Sequence, residues 1–116
     1  MNGARITRFD TFLWVVQRVT AAFLGLFVLV HLVTILYAVR GGLSASEILA
    51  RTHSSLAIPL FYALFVVAAS VHGAIGLRTV AAEWLSWRGR SADLAFVLVG
   101  LALLALGLRA VVAVSA

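Results

Sequence analysis

The chain has no cysteine and no lysine, a single proline and only four acidic residues among 116. Without cysteine, neither a disulfide framework nor a thiolate metal site can form, and the redox compartment leaves no mark on the composition. The carboxylates are Asp10, Glu47, Glu83 and Asp93, and no two of them pair within an apolar run. No plausible nucleophile–base pair is present either, so the chain has no catalytic constellation of its own. Nine arginines carry all of the fixed positive charge and give a formal net charge of +5. In a soluble protein that balance would suggest nucleic acid. Here the arginines flank apolar segments, so orientation in a bilayer is the simpler cause and no nucleic-acid partner is expected.

What the chain has in abundance is hydrocarbon. Hydrophobic residues make up 64%, charged residues 11%, and the mean hydropathy is +1.13, far from the mix of a soluble domain. The pattern predicts an all-α membrane protein, one transmembrane domain over residues 1–116 with three spans at about 12–39, 56–80 and 94–114. A polar head from Met1 to Asp10, with Arg5 and Arg8, precedes the first span. The apolar run that follows is much longer than the ~7–15 residues of a signal-peptide core, so it reads as a retained helix. Gly41-Gly42 ends it. Ser44 to Ser55, carrying Glu47, Arg51 and His53, reads as a short interfacial helix with a solvated histidine. Pro59 falls in the first turn of the second span, where its missing N–H does least harm. Residues from Glu83 to Asp93, with Trp84 and Trp87, read as an interfacial loop. Gly100 and Gly107 share one face of the third span and permit close helix packing, and Arg109 snorkels to the nearer interface.

Arginine counting sets the orientation. Arg5, Arg8, Arg18, Arg78, Arg88 and Arg90 fall on one side, and Arg40, Arg51 and Arg109 on the other. The positive-inside rule then places the N-terminus and the Trp84 to Asp93 loop in the cytoplasm.

Polar side chains inside the spans carry the functional signal, because hydrocarbon makes them costly unless they face protein, cofactor or water. On the first span Gln17, Thr20, His31 and Thr34 form a stripe about 100° wide at helical periodicity. On the second, Phe65, Ala68, Ala69, His72, Gly76 and Thr79 share a face, and the run Val71 to Arg78 sets one imidazole, two glycines and a guanidinium together. Such a face either packs a neighbouring helix around a satisfied histidine or leaves room for a flat macrocycle held by the imidazole. At about 1.5 Å per residue, His72 lies ~9 Å from Arg78 and His31 ~14 Å from Arg40, which puts the histidines ~10 Å apart in depth and makes joint ligation of one iron unfavourable.

These residues resemble the membrane-anchor cytochrome b subunits of succinate dehydrogenase and fumarate reductase. The likeness covers most of the chain: its length, three spans, Gln17-Arg18-Val19-Thr20 at the start of the first helix, and His72 followed by Gly76-x-Arg78 and then Glu83-Trp84. It implies half of a haem-binding helical bundle, completed by a partner subunit, in a multi-pass protein of the bacterial inner (cytoplasmic) membrane. His72 is then implied as an axial ligand of haem b, and Arg18 and Arg78 as contacts of haem propionates or quinone. Glu83 and Trp84 stand where an acidic-aromatic pair belongs to the quinone end. His31 matches the first-helix ligand of two-haem members, so one haem or two are implied. Gln17 and Trp14 stand where the family's larger anchor usually has His and Ser, and Trp84 replaces a Tyr, so only an indole N–H is offered there. Arg18-x-Thr20-Ala21 looks like the smaller anchor and Gly76-x-Arg78 like the larger. The implied function is non-catalytic within the tricarboxylic acid cycle enzyme: anchoring a flavoprotein and an iron–sulfur subunit, beside a second anchor, for electron transport to or from membrane quinone. A small transporter or proton-conducting bundle, with His31 and His72 relaying protons, is the alternative.

Overall fold

A computed structural model describes residues 7–115, and Arg5 lies outside the described residues. Four helices follow one another: α1 (Arg8–Arg40), α2 (Ala45–Ser54), α3 (Ala57–Leu85) and α4 (Arg90–Ser115). Three of them, α1, α3 and α4, are long and apolar enough to cross a membrane, as the composition predicts for an all-α multi-pass membrane protein.

The helix ends follow from local chemistry. α1 begins at Arg8, four residues before the expected span, because Thr7 caps it. The Thr7 hydroxyl accepts from the Asp10 backbone N–H at 3.1 Å, and the Asp10 carboxylate accepts from the Thr7 N–H at 3.1 Å. This capping box satisfies two of the donors that a helix start leaves open and brings Arg8 to Asp10, the end of the expected polar head, into the helix. At the other end Gly41 N–H donates to Tyr37 at 2.9 Å, and Gly42 turns the chain at φ +70°. α2 repeats the capping box with Ser44 and Glu47 and exposes His53.

The connection between the second and third spans is shorter than the Glu83 to Asp93 loop expected from its polar composition. Glu83 and Trp84 belong to the last turn of α3, and Arg90 and Asp93 to the first turn of α4. Only residues 86–89 lie between them. Ser86 takes a left-handed conformation (φ 54°), Trp87 N–H reaches back to the Ala81 carbonyl at 3.1 Å, and Gly89 has φ 99°. That closing bond satisfies a carbonyl at the end of α3 and lets the chain reverse in four residues.

α3 stands in the middle, packed against α1 on one side and α4 on the other, and α2 rests on α4. The α3–α4 approach depends on glycine. A Cβ at Gly100 would sit 3.1 Å from the Ala74 Cβ, and one at Gly107 would run into the Val66 side chain, so the expected glycine face is a contact face. The α1–α3 seam is filled in its far half by Phe27, Phe61 and Phe65, with ring centroids 4.7 Å and 6.3 Å from Phe27. Thr34 departs from the expected polar stripe. It is exposed and returns its hydroxyl proton to the Val30 carbonyl of its own helix at 2.8 Å, which satisfies a hydroxyl in an apolar medium without a partner helix. Among the described residues only Thr52, Ser70, Ala81 and Ala92 are buried. The large apolar side chains mostly face outward, toward lipid or another subunit, so the chain has little core of its own.

Candidate functional site

Antiparallel packing of α1 on α3 brings Gln17 and Thr20 against His72. The Thr20 hydroxyl lies 2.8 Å from the Val16 carbonyl, 3.1 Å from that of Gln17, and 3.1 Å from His72 Nδ1. With its one proton given to the helix carbonyl, the oxygen is open to accept from His72 Nδ1–H. In that tautomer the lone pair is on Nε2, the nitrogen free for a ligand. Gln17 Nε2 donates to the His72 carbonyl at 3.2 Å, while its Oε1 is buried without a partner. Glycine again makes the approach possible, since a Cβ at Gly76 would lie 3.3 Å from Gln17 Nε2.

A cleft of about 400 Å³ opens beside this contact. Its walls are apolar at Leu13, Ala21 and Ile75, and its polar groups come from His72, Gln17, Arg18, Arg78, Asp10 and Thr79. Four residues expected at a site, Gln17, Arg18, His72 and Arg78, therefore converge on one cleft. Arg18 is steadied by Trp14, whose ring centroid lies 5.2 Å from Cζ. Arg78 Nε donates to Asp93 Oδ1 at 2.6 Å, and its Cζ lies 5.9 Å from the Phe9 ring centroid.

Two smaller clefts adjoin the first. One of about 310 Å³ is almost wholly apolar and runs between α3 and α4 from Arg78 and Asp93 to Leu104. The other, about 190 Å³, is lined by Asp10, Arg78, Trp87, Arg88 and Asp93 at the arginine-rich end.

The other expected site residues lie elsewhere. His31 faces α3 but meets Tyr62, with Nδ1 2.9 Å from the phenol oxygen and the rings edge to face at 5.4 Å. It lines none of the three clefts. Its partner Tyr62 is ten residues before His72 on α3, a separation of about 15 Å along the axis. The histidines are thus further apart than the expected ~10 Å, because α1 and α3 both extend beyond a minimal span. Glu83 and Trp84 are exposed on the last turn of α3, Trp84 at 82%, and neither lines these clefts.

Thr20 and Asp93 are the residues that sequence reasoning did not raise to site candidates. Thr20 was visible as the member of the polar stripe one turn after Gln17. Asp93 looked like a loop acid until the short turn placed it in α4. Among the described residues no three His, Cys, Asp or Glu side chains converge as a metal-binding group.

Comparison with curated proteins and with solved structures gave no match. The sequence profile of one family, described as succinate dehydrogenase/fumarate reductase transmembrane subunit, matches residues 4–109. That match spans nearly the whole chain, including all three histidines and every residue of the His72 cleft. The chain belongs to the succinate dehydrogenase/fumarate reductase transmembrane subunit family, and so to a complex with other subunits of that enzyme.

Proposed function

We propose that this subunit binds haem b through His72 and forms part of the quinone site with Gln17, Arg18 and Arg78, anchoring a flavoprotein and an iron–sulfur subunit beside a second membrane anchor. The observation that carries the proposal is the His72 imidazole, fixed through Nδ1 by Thr20, on a cleft it shares with two guanidiniums.

The residues fit the group. One imidazole with a free Nε2 suits axial ligation, two guanidiniums suit carboxylates, and Leu13, Ala21 and Ile75 suit a macrocycle face. Haem b, when bound, supplies a one-electron carrier beside the quinone. Thr20 sets the ring orientation of His72 by accepting from Nδ1–H. Arg18 and Arg78 offer charge-assisted hydrogen bonds to propionate carboxylates or a quinone oxygen. Gln17 Oε1, buried and unpartnered, is an acceptor for a quinol hydroxyl. A second protein ligand to the haem iron would have to come from the other anchor, since this chain places one histidine on the cleft. His31 pairs with Tyr62 in the aromatic seam, which favours a single haem. Membership of the family replaces the transporter alternative. By the arginine distribution, the end holding Arg8, Arg78, Arg88 and Arg90 faces the cytoplasm, where the soluble subunits dock.

The test is the reduced-minus-oxidised visible spectrum of the purified complex. His72→Ala is expected to abolish the b-type absorbance while flavin and non-haem iron still copurify with the chain. Full b-type absorbance in that variant overturns the ligand assignment, and loss of flavin and iron from the wild-type preparation overturns the anchoring role.

A further inference from the structure

We infer that Asp93 is a positioning residue for the Arg78 guanidinium, holding it so that its terminal N–H groups serve the His72 cleft; the inference rests on the haem and quinone reading of that cleft. Arg78 lines all three clefts where α1, α3 and α4 meet. An arginine side chain has many rotamers of similar energy, so a free Arg78 would divide its time among those spaces.

Two contacts restrict it. Nε–H donates to Asp93 Oδ1 at 2.6 Å, and the Phe9 ring lies 5.9 Å from Cζ. A guanidinium is planar and has five N–H donors. One bond at Nε together with a neighbouring ring restrains both its plane and its rotation, and leaves four Nη–H donors for a ligand. Asp10 is the other acid near Arg78 and acts on it through charge, with its Oδ2 taken by the Thr7 hydroxyl at 2.8 Å and the Thr7 N–H at 3.1 Å and no hydrogen bond to the guanidinium. Asp93 is therefore the acid that bonds Arg78. It is itself well fixed, in the first turn of α4, where the helix dipole favours a carboxylate, next to the fully buried Ala92.

Magnitude separates this role from simple stabilisation. The side chains of Arg78 and Asp93 are 30% and 45% exposed, and pairs so exposed contribute little to folding. The consequence of the contact is where the guanidinium points.

The experiment uses the intact complex in membranes with Asp93→Asn, Asp93→Glu and Arg78→Gln. Three quantities are read: the quinone KM, the redox potential of the b-type haem, and succinate oxidation with a water-soluble dye that bypasses the membrane. Arg78→Gln is expected to raise the quinone KM about tenfold, the scale of one lost charge-assisted hydrogen bond, and to shift the haem potential. Asp93→Asn is expected to move both in the same direction by a smaller factor, Asp93→Glu to restore most of the change, and dye-linked oxidation to stay constant in all three. If Arg78→Gln shifts KM and potential but Asp93→Asn shifts neither, the positioning role is overturned and the site reading stands. If Arg78→Gln shifts neither, the reading of the cleft fails and the inference fails with it.

Discussion

Thr20 and His72 meet across the seam between α1 and α3, with Thr20 Oγ1 3.1 Å from His72 Nδ1. The hydroxyl belongs to one spanning helix and the imidazole to the other, so the orientation of the ring reports how the two helices are docked. Thr20→Val keeps the shape of the side chain and removes the acceptor. His72 then loses the bond that fixes its tautomer, and haem affinity is expected to fall by about ten- to a hundredfold, the usual range when a partner of a ligating histidine is lost. Haem titration of the haem-depleted complex measures this. Unchanged affinity would show that the ring is held by packing alone.

His31 and Tyr62 use a similar device in reverse, with the imidazole on α1 and the hydroxyl on α3, 2.9 Å apart. The surroundings differ: aromatic rings fill the seam there, and none of the three clefts reaches His31. One haem per complex is expected from pyridine haemochrome assay against protein content, and His31→Gln should leave that ratio unaltered. A ratio of two that falls to one in His31→Gln would make His31 a ligand after all.

Glycine positions on α4 should differ sharply from a glycine that faces outward. Gly107→Ala drives a methyl group into Val66, whereas a Cβ at Gly25 on α1 meets nothing within 4 Å. Overpacking typically costs about 1–3 kcal/mol, while alanine for glycine in an unhindered helix gains up to about 1 kcal/mol. Thermal melting of the complex in detergent should therefore drop for Gly107→Ala and hold or rise for Gly25→Ala. Equal melting temperatures would mean that α3 and α4 are not in close contact at this level.

The architecture was legible because its cause is one-dimensional. Runs of apolar residues longer than a bilayer core force helices, and Gly41-Gly42 and Pro59 mark ends that the structure keeps. The same reasoning failed at Glu83, Trp84, Arg90 and Asp93, where polar composition suggested a loop. Hydropathy records where hydrocarbon stops, and a helix can continue past that point into water. The helix start at Thr7 was written locally in the Thr7-x-x-Asp10 capping box but was masked by the two arginines around it. Of the site, the convergence of Gln17, Arg18, His72 and Arg78 could be anticipated from helical faces and family likeness. Thr20 as the partner of His72, Tyr62 as that of His31 and Asp93 as that of Arg78 could not, because each depends on the relative shift of two helices, which periodicity within one helix does not determine.

Orientation gives a prediction that needs no cofactor. The antiparallel helices put Arg8, Arg78, Arg88 and Arg90 at one end, and Arg40, Arg51 and Arg109 at the other. Positive charge is retained on the cytoplasmic side of a membrane. Since the chain contains no cysteine, single cysteines can report the side directly. Ser46→Cys lies on the exposed side of α2, and Ser91→Cys in the exposed first turn of α4. A membrane-impermeant thiol reagent applied to intact cells should label Ser46→Cys and spare Ser91→Cys, and inverted membrane vesicles should reverse the pattern. The opposite result would place the end of the His72 cleft lined by Asp10 and Arg78 on the far side of the membrane from the cytoplasm. It would leave the soluble subunits no route to it, so the labelling decides the docking face as well as the topology.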